Sequence, residues 1–150
     1  MPVEMFLKLA GIDGESIDAK HKGEIDVLAW SWGLSQEGGS PGGGGGGAGR
    51  VKIENISIQK LVDLASPLLL SFSATGKHIS DGTLTTSKAG KAGGEFLLFK
   101  MSNVIVTSVH VAASQDGNAP TESITLSFGK VEFDYKDKAF KFDVTGGKPV

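Results

Sequence analysis

Along the first ten residues the apolar side chains fall at every second position, Val3, Met5, Leu7 and Leu9, with Glu4 and Lys8 between them. A period of two is the signature of a strand with one buried face. Similar patterns, separated by turn-forming residues, recur over 24–35, 50–60, 82–87, 95–101, 104–113, 122–135 and 139–144. In the segment 122–135 the apolar set changes phase, from Ile124, Leu126 and Phe128 to Val131, Phe133 and Tyr135, across Gly129 and Lys130. A bulge or bend at Gly129 would keep both sets pointing inward, as a closing sheet requires. Eight short antiparallel strands with such a bend predict a mainly β chain folded as a two-sheet barrel.

One stretch breaks the alternation. Ser66 can cap a helix, Pro67 suits its first turn, and Gly76 can end it in the left-handed conformation, which predicts a short helix over about 67–75. Leu68, Leu69, Phe72 and Ala74 would form its buried side, and a helix this short needs the sheet to dock on. A second interruption, 38–49, has nine glycines with only Ser40, Pro41 and Ala48 as exceptions. It has almost nothing to bury and a high entropy of ordering, so it reads either as a linker or as an extended loop ordered by a partner.

With 150 residues and 39% apolar residues, the chain is the size of one domain spanning 1–150. The net charge of -2, with both signs scattered along the sequence, gives no footprint for nucleic acid. The absence of cysteine removes disulfides, thiolate metal sites and a cysteine nucleophile. No window reaches the roughly 18 apolar residues of a membrane span, so no membrane partner is expected. Glu4 and Lys8 interrupt the N-terminal apolar residues, so no Sec signal peptide is expected either.

The chemistry of a catalyst is also missing. His21, His78 and His110 lie far apart and show no metal-ligand spacing, and Asp13 and Glu15 sit in a glycine-flanked turn where carboxylates serve turn geometry. The glycine run ends in Gly49-Arg50-Val51 and leads into a strand pattern, whereas a phosphate loop ends in Gly-Lys-Ser/Thr and leads into a helix. No cofactor, metal or catalytic residue is assigned, and the chain is not expected to be an enzyme. The segment around Trp30-Ser31-Trp32 stands out instead. Strand parity puts Asp26, Leu28, Trp30 and Trp32 on one face, with the large rings as core, and Val27, Ala29 and Ser31 on a face of small side chains.

Taken together, Gly14-Glu15-Ser16, Asp18, His21 and the block from Ile25 to Gly33 resemble the first third of a haemolysin-coregulated protein (Hcp), the tube protein of type VI secretion systems. The likeness continues in order through Gly49-Arg50-Val51, Lys60, Asp63, Ser66-Pro67, Leu69, Gly76-Lys77-His78-Ile79, Lys88-Ala89-Gly90, 104–109, Thr121-Glu122, Leu126, Phe128, Val131 and Tyr135. Past Tyr135 the chain departs from the pattern, because only Lys136-Asp137-Lys138 precede Ala139, where family members often carry a longer polar connection.

The resemblance implies a β-barrel with one flanking helix and an extended loop, six copies of which form a ring. Stacked rings would make a hollow tube that partners sheath and spike proteins, holds effector proteins in its lumen, and leaves the cytoplasm on firing for the medium or a target cell. Within that frame Val27, Ala29 and Ser31 are the candidates for the lumen face, and Gly39, Ser40, Pro41, Gly42, Gly47, Ala48 and Arg50 for contacts between subunits or rings. The opposing reading of the small-residue face is that it packs on the helix or the second sheet. The opposing reading of the whole chain is a monomeric barrel that binds a small ligand, with the glycine loop as its lid.

Overall fold

A computed structural model describes residues 2–37, 50–89 and 94–150. In chain order the strands are β1 (Val3–Leu9), β2 (Ile25–Val27), β3 (Ala29–Ser31), β4 (Leu34–Glu37), β5 (Arg50–Ile53) and β6 (Ile56–Leu61). The helix α1 (Ser66–Thr75) follows, and then β7 (His78–Lys88), β8 (Glu95–Ala112), β9 (Thr121–Tyr135), β10 (Lys138–Asp143) and β11 (Lys148–Pro149). Every expected segment contains strand, but 24–35 divides into β2, β3 and the start of β4, and 50–60 into β5 and β6. The two apolar segments 95–101 and 104–113 join into the single long β8, and β11 had no counterpart in the sequence pattern.

All pairing is antiparallel, and the ladder runs in a ring. β1 pairs β7, β7 pairs β8, β8 pairs β9 and β9 pairs β6. β6 then pairs β3, and the same chain segment continues back into β2, which pairs β1. The changeover falls at Leu28, whose amide donates to the Gln59 carbonyl at 2.8 Å. β10 and β11 extend the sheet from the second half of β9, and β4 with β5 forms a separate two-stranded arm at the end of β3.

The long strands stay half-buried because they change phase. In β9, Ile124, Leu126 and Phe128 face the core, and after Gly129 and Lys130 so does Val131. Across the ladder from Gly129 lies Asn103, one of two non-glycine residues with positive φ among the described residues (55°). A side chain at 129 would press on Thr145 and Asn103, at 3.2 and 3.4 Å. The expected bend is therefore shared between the two strands. The register passes through this bend unbroken and slips only between Val106 and Ser108 of β8, which lets Val106 point inward before the slip and Val109 after it.

The interior is filled. The Phe99 ring lies 4.9 Å from Trp32, 5.8 Å from Phe128, 6.0 Å from Trp30 and 6.3 Å from Phe133. Leu7, Ile25, Ile56, Ile58, Leu84 and Ile124 close around this cluster. Aromatic edge-to-face contacts of this kind add to the gain from area burial.

Helix α1 begins one residue earlier than expected, at Ser66, with Ala65 at the cap position and no side-chain cap bond. The Ser66 hydroxyl is engaged elsewhere, accepting from the Asp63 amide at 3.0 Å and from Lys60 Nζ at 3.3 Å. Gly76 ends the helix at φ 67°, as its position predicts. Leu69 is buried and Phe72 half-buried, but Leu68 and Ala74 are exposed, so the docked stripe is narrower than the sequence suggests.

Lys60 itself is fully buried, with Nζ 2.8 Å from Glu122 Oε1 and 2.9 Å from Asp63 Oδ1. The Asp63 carboxylate also accepts from the Ala65 amide at 2.9 Å, tying the helix start to β6 and β9. A buried ion pair contributes modest net stability, but removal of one partner strands the other charge without water. Replacing Lys60 by Met should lower unfolding free energy by about 3–5 kcal/mol in denaturant titration, and the double replacement Lys60→Met with Glu122→Leu should recover much of that loss.

Candidate functional site

The outward faces of β3, β6, β9 and β8 form one wall, and its residues follow from the registers. Ser31 lies beside Ser57, Ser57 beside Thr125, and Thr125 beside Ser108. One step along the strands the row reads Ala29, Gln59, Ser123 and His110. Thr121, Ser127, Thr107 and Ala112 continue it, with Leu61 and Ile105 as its larger apolar members. None of these positions carries a carboxylate, lysine or arginine, and His110 is the one titratable side chain among them.

The hydroxyls bond mainly to one another and to the backbone. Thr125 Oγ1 is 2.6 Å from both Thr107 Oγ1 and Ser108 Oγ, Ser123 donates to Gln59 Oε1 at 2.7 Å, and Thr107 donates to the Thr125 carbonyl at 3.0 Å. Satisfied in this way, short side chains give a smooth polar surface with few long flexible groups. Behind the wall stand Ile58, Ile124, Leu126 and the Lys60–Glu122 pair, which hold its strands in register.

Among the described residues the two outer strands of the wall have no strand partner on their outer sides, although helix α1 packs against β8. Among the described residues β3 pairs only β6, and β8 pairs only β9 beyond Ile105, where its ladder with β7 ends. Of the three residues singled out on the small face, Ala29 and Ser31 lie on this exposed wall. Val27 does not, and the expectation is corrected, for it is buried in the core beside Ile25. The strand slips by one residue where it leaves β1 for β6, so Leu28 and Ala29 both face outward. For the same reason Asp26 and Leu28 are exposed and do not share the buried face of Trp30 and Trp32.

Of the loop candidates, Gly39, Ser40, Pro41, Gly42, Gly47 and Ala48 lie outside the described residues, as does Gly90. Arg50 opens β5, exposed and opposite Glu37 in the ladder. Ser57, Thr107, Ser108, Ser123 and Thr125 were missed as wall residues because their placement depends on which strands become neighbours. The alternation of small polar residues with Ile56, Ile58, Ile124 and Leu126 was the available signal.

Around the rim of β2 the charge is one-sided. Asp26 is surrounded by Asp63, Asp18, Glu15 and Glu4, and desolvation together with these carboxylates holds its carboxyl above the ordinary 3.8. Glu15 is anchored there by the Leu64 amide, 2.6 Å from its Oε2. The three histidines stand apart: His21 between two carboxylates, His78 at 2.6 Å from Asn103 Oδ1, and His110 on the wall. Among the described residues no group of three or more His, Cys, Asp or Glu is placed to hold an ion.

Comparison with known proteins agrees with this architecture. The family model described as "Type VI secretion system effector, Hcp" matches residues 6–135. A curated relative, Protein hcp1 of Pseudomonas aeruginosa, is 43% identical over 137 residues, covering 91% of this chain and 85% of its own. The crystal structure of Hcp1 from Salmonella typhimurium superposes with a TM-score of 0.85 at 34% identity over 99% of this chain and 100% of that one. A type VI secretion system effector from Yersinia pestis gives 0.79 at 36% identity, over 93% and 99%. The chain belongs to the Hcp family of type VI secretion system tube proteins. That family is structural and secreted, not a family of enzymes.

The raised Asp26 carboxyl has a sign. A folded-state value above the unfolded one gives stability that is complete below pH 3.8 and is lost as pH rises through the folded value, so at neutral pH the ionised group opposes folding. Asp26→Asn should raise the melting temperature at pH 7 and flatten its dependence on pH in the acid range, as read by thermal unfolding across pH 3.5–7.

Proposed function

We propose that this chain is the subunit of a secretion tube, six copies closing a ring with the uncharged wall facing the lumen and the rings stacking into a channel for effector proteins. The observation that carries the reading is the wall itself, a face of hydroxyls and small side chains whose outer strands, among the described residues, have no further strand partner. An edge with free backbone groups is a template for pairing with another chain. Edges of different sequence at opposite sides fit a heterologous contact, which closes into a ring when the rotation allows.

The remaining parts find places in this arrangement. The 38–49 glycine run, which joins β4 to β5 in sequence, would reach a neighbouring subunit or ring through backbone and shape, and its ordering cost would keep stacking reversible. Sheath and spike proteins would contact the outside and the end of the tube, and effectors the inside. Assembly would take place in the cytoplasm, and release on firing would need no signal peptide. Within the lumen Ala29 and Ser31 share the wall with Ser57, Gln59, Ser123, Thr125 and Ser108. The chain's own part is to shape the channel and to offer weak neutral contacts to cargo.

The test is the native mass of the purified protein by light scattering after size exclusion. Six subunits of 15.6 kDa give a particle of about 94 kDa, whereas a monomer at all concentrations would overturn the ring. Given a ring, Ser31→Gln should leave its mass unchanged and lower the amount of effector that co-purifies with it. Loss of the ring in that variant would instead place Ser31 at a subunit contact.

A further inference from the structure

His21 is buried, on the loop between β1 and β2, yet both of its ring nitrogens face carboxylates. Nδ1 is 3.1 Å from Glu24 Oε1 on its own loop, and Nε2 is 3.1 Å from Glu95 Oε1 at the start of β8, 74 residues away. The ring stacks on Phe6 of β1, centroids 4.5 Å apart and planes 10° from parallel. This stacking fixes the plane in which both nitrogens point.

A neutral imidazole has one N–H and one lone pair, and only the imidazolium donates from both nitrogens. Two carboxylate oxygens at hydrogen-bond distance from the two nitrogens are therefore both satisfied only when the ring carries two protons. With one proton, one contact is a hydrogen bond and the other sets a nitrogen lone pair against a carboxylate oxygen. We propose that His21 is a proton-operated clamp that fastens the β1–β2 loop to the start of β8 when its ring is doubly protonated and loosens one end of that link when it is neutral.

The surroundings favour this use. The loop is held to itself by the His21 amide to the Asp18 carbonyl (3.2 Å), Gly23 to Ser16 (2.8 Å) and Glu24 to His21 (3.1 Å), but its side-chain bridge to β8 is the single Glu95 contact among the bonds described. The other charged groups of the loop, of β1 and of the end of β7 are Asp13, Glu15, Asp18, Lys20 and Lys22 on the loop, Glu4 and Lys8 on either side of Phe6 in β1, and Lys88 at the end of β7. Lys8, Lys20, Lys22 and Lys88 are exposed to solvent. Glu24 and Glu95 are thus the groups whose charge the ring meets directly. The loop moved by such a clamp carries Ile17, which is 95% exposed, and the Glu15 side chain bound to the Leu64 amide. A change of one proton therefore bears on how firmly this rim of the barrel is held, whatever the state of assembly.

The experiment is amide hydrogen exchange on the intact protein at pH 5.5 and pH 8.0, with rates corrected for intrinsic catalysis. In the wild type, protection of residues 16–24 should be about tenfold greater at pH 5.5, the effect expected of one charge-assisted hydrogen bond. Both His21→Gln and Glu95→Gln should abolish that gain while the amides of Ile124 and Leu126 in the core of β9 stay protected. The background from Asp26 and the other carboxylates is common to wild type and variants and drops out of the comparison. If His21→Gln fails to fold, Glu95→Gln, which changes a partly exposed side chain, decides alone. Equal protection at the two pH values in the wild type, or an unchanged gain in Glu95→Gln, would overturn the clamp.

Discussion

The barrel depends on one segment serving two neighbours. Residues Ile25 to Ser31 give their first backbone bonds to β1 and their last to β6, and this transfer turns an open antiparallel ladder into a ring. The cost is a one-residue slip at Leu28, which leaves an aliphatic side chain in water and places Asp26 among other carboxylates. The return is that Ile25, Val27 and Trp30 all reach the same interior. The change of facing shared by Gly129 and Asn103, which leaves the register intact, and the register slip between Val106 and Ser108 meet the same demand. A strand that bends around a closed core must lose phase somewhere if one side is to stay dry.

Once the ring is closed, the core can be organised around a few side chains. Phe99 is ringed by four aromatic neighbours from β3, its following turn and β9. The Lys60 cluster does a different job at the opposite end of the same strands, since it joins β6 and β9 to the entry of α1 through charge-assisted hydrogen bonds that tolerate little displacement. The helix therefore starts where the lysine places it rather than where a serine could cap it.

What was legible in the sequence follows from this division. Period-two alternation found every strand except the two-residue β11, and the phase break at Gly129 was visible because it interrupts six large apolar residues. The slip at Leu28 was not, for Asp26-Val27-Leu28-Ala29-Trp30 reads equally well in either phase until the identity of the pairing strands is known. Val27 was misplaced for that reason, while Ala29 and Ser31, beyond the slip, fell on the exposed face expected of them. The rest of the wall needed the registers of β6, β8 and β9. Ser66 was misread because a serine before a proline is a cap by local rules, and only the distant Lys60 and the nearby Asp63 redirect its hydroxyl. The role of His21 likewise required Glu95, which no local pattern connects to it.

The wall of β3, β6, β9 and β8 has a consequence that lies in its far field. A surface without fixed charges projects little potential beyond contact range, and in saline any remainder is screened within about 8 Å. A macromolecule alongside it is neither drawn in nor pushed away according to its own isoelectric point, and it meets hydroxyls whose bonds to water and to one another exchange at little net energy. If the wall lines a channel as proposed, such a surface would sort by width and close fit, and acidic and basic proteins would slide along it with similar resistance.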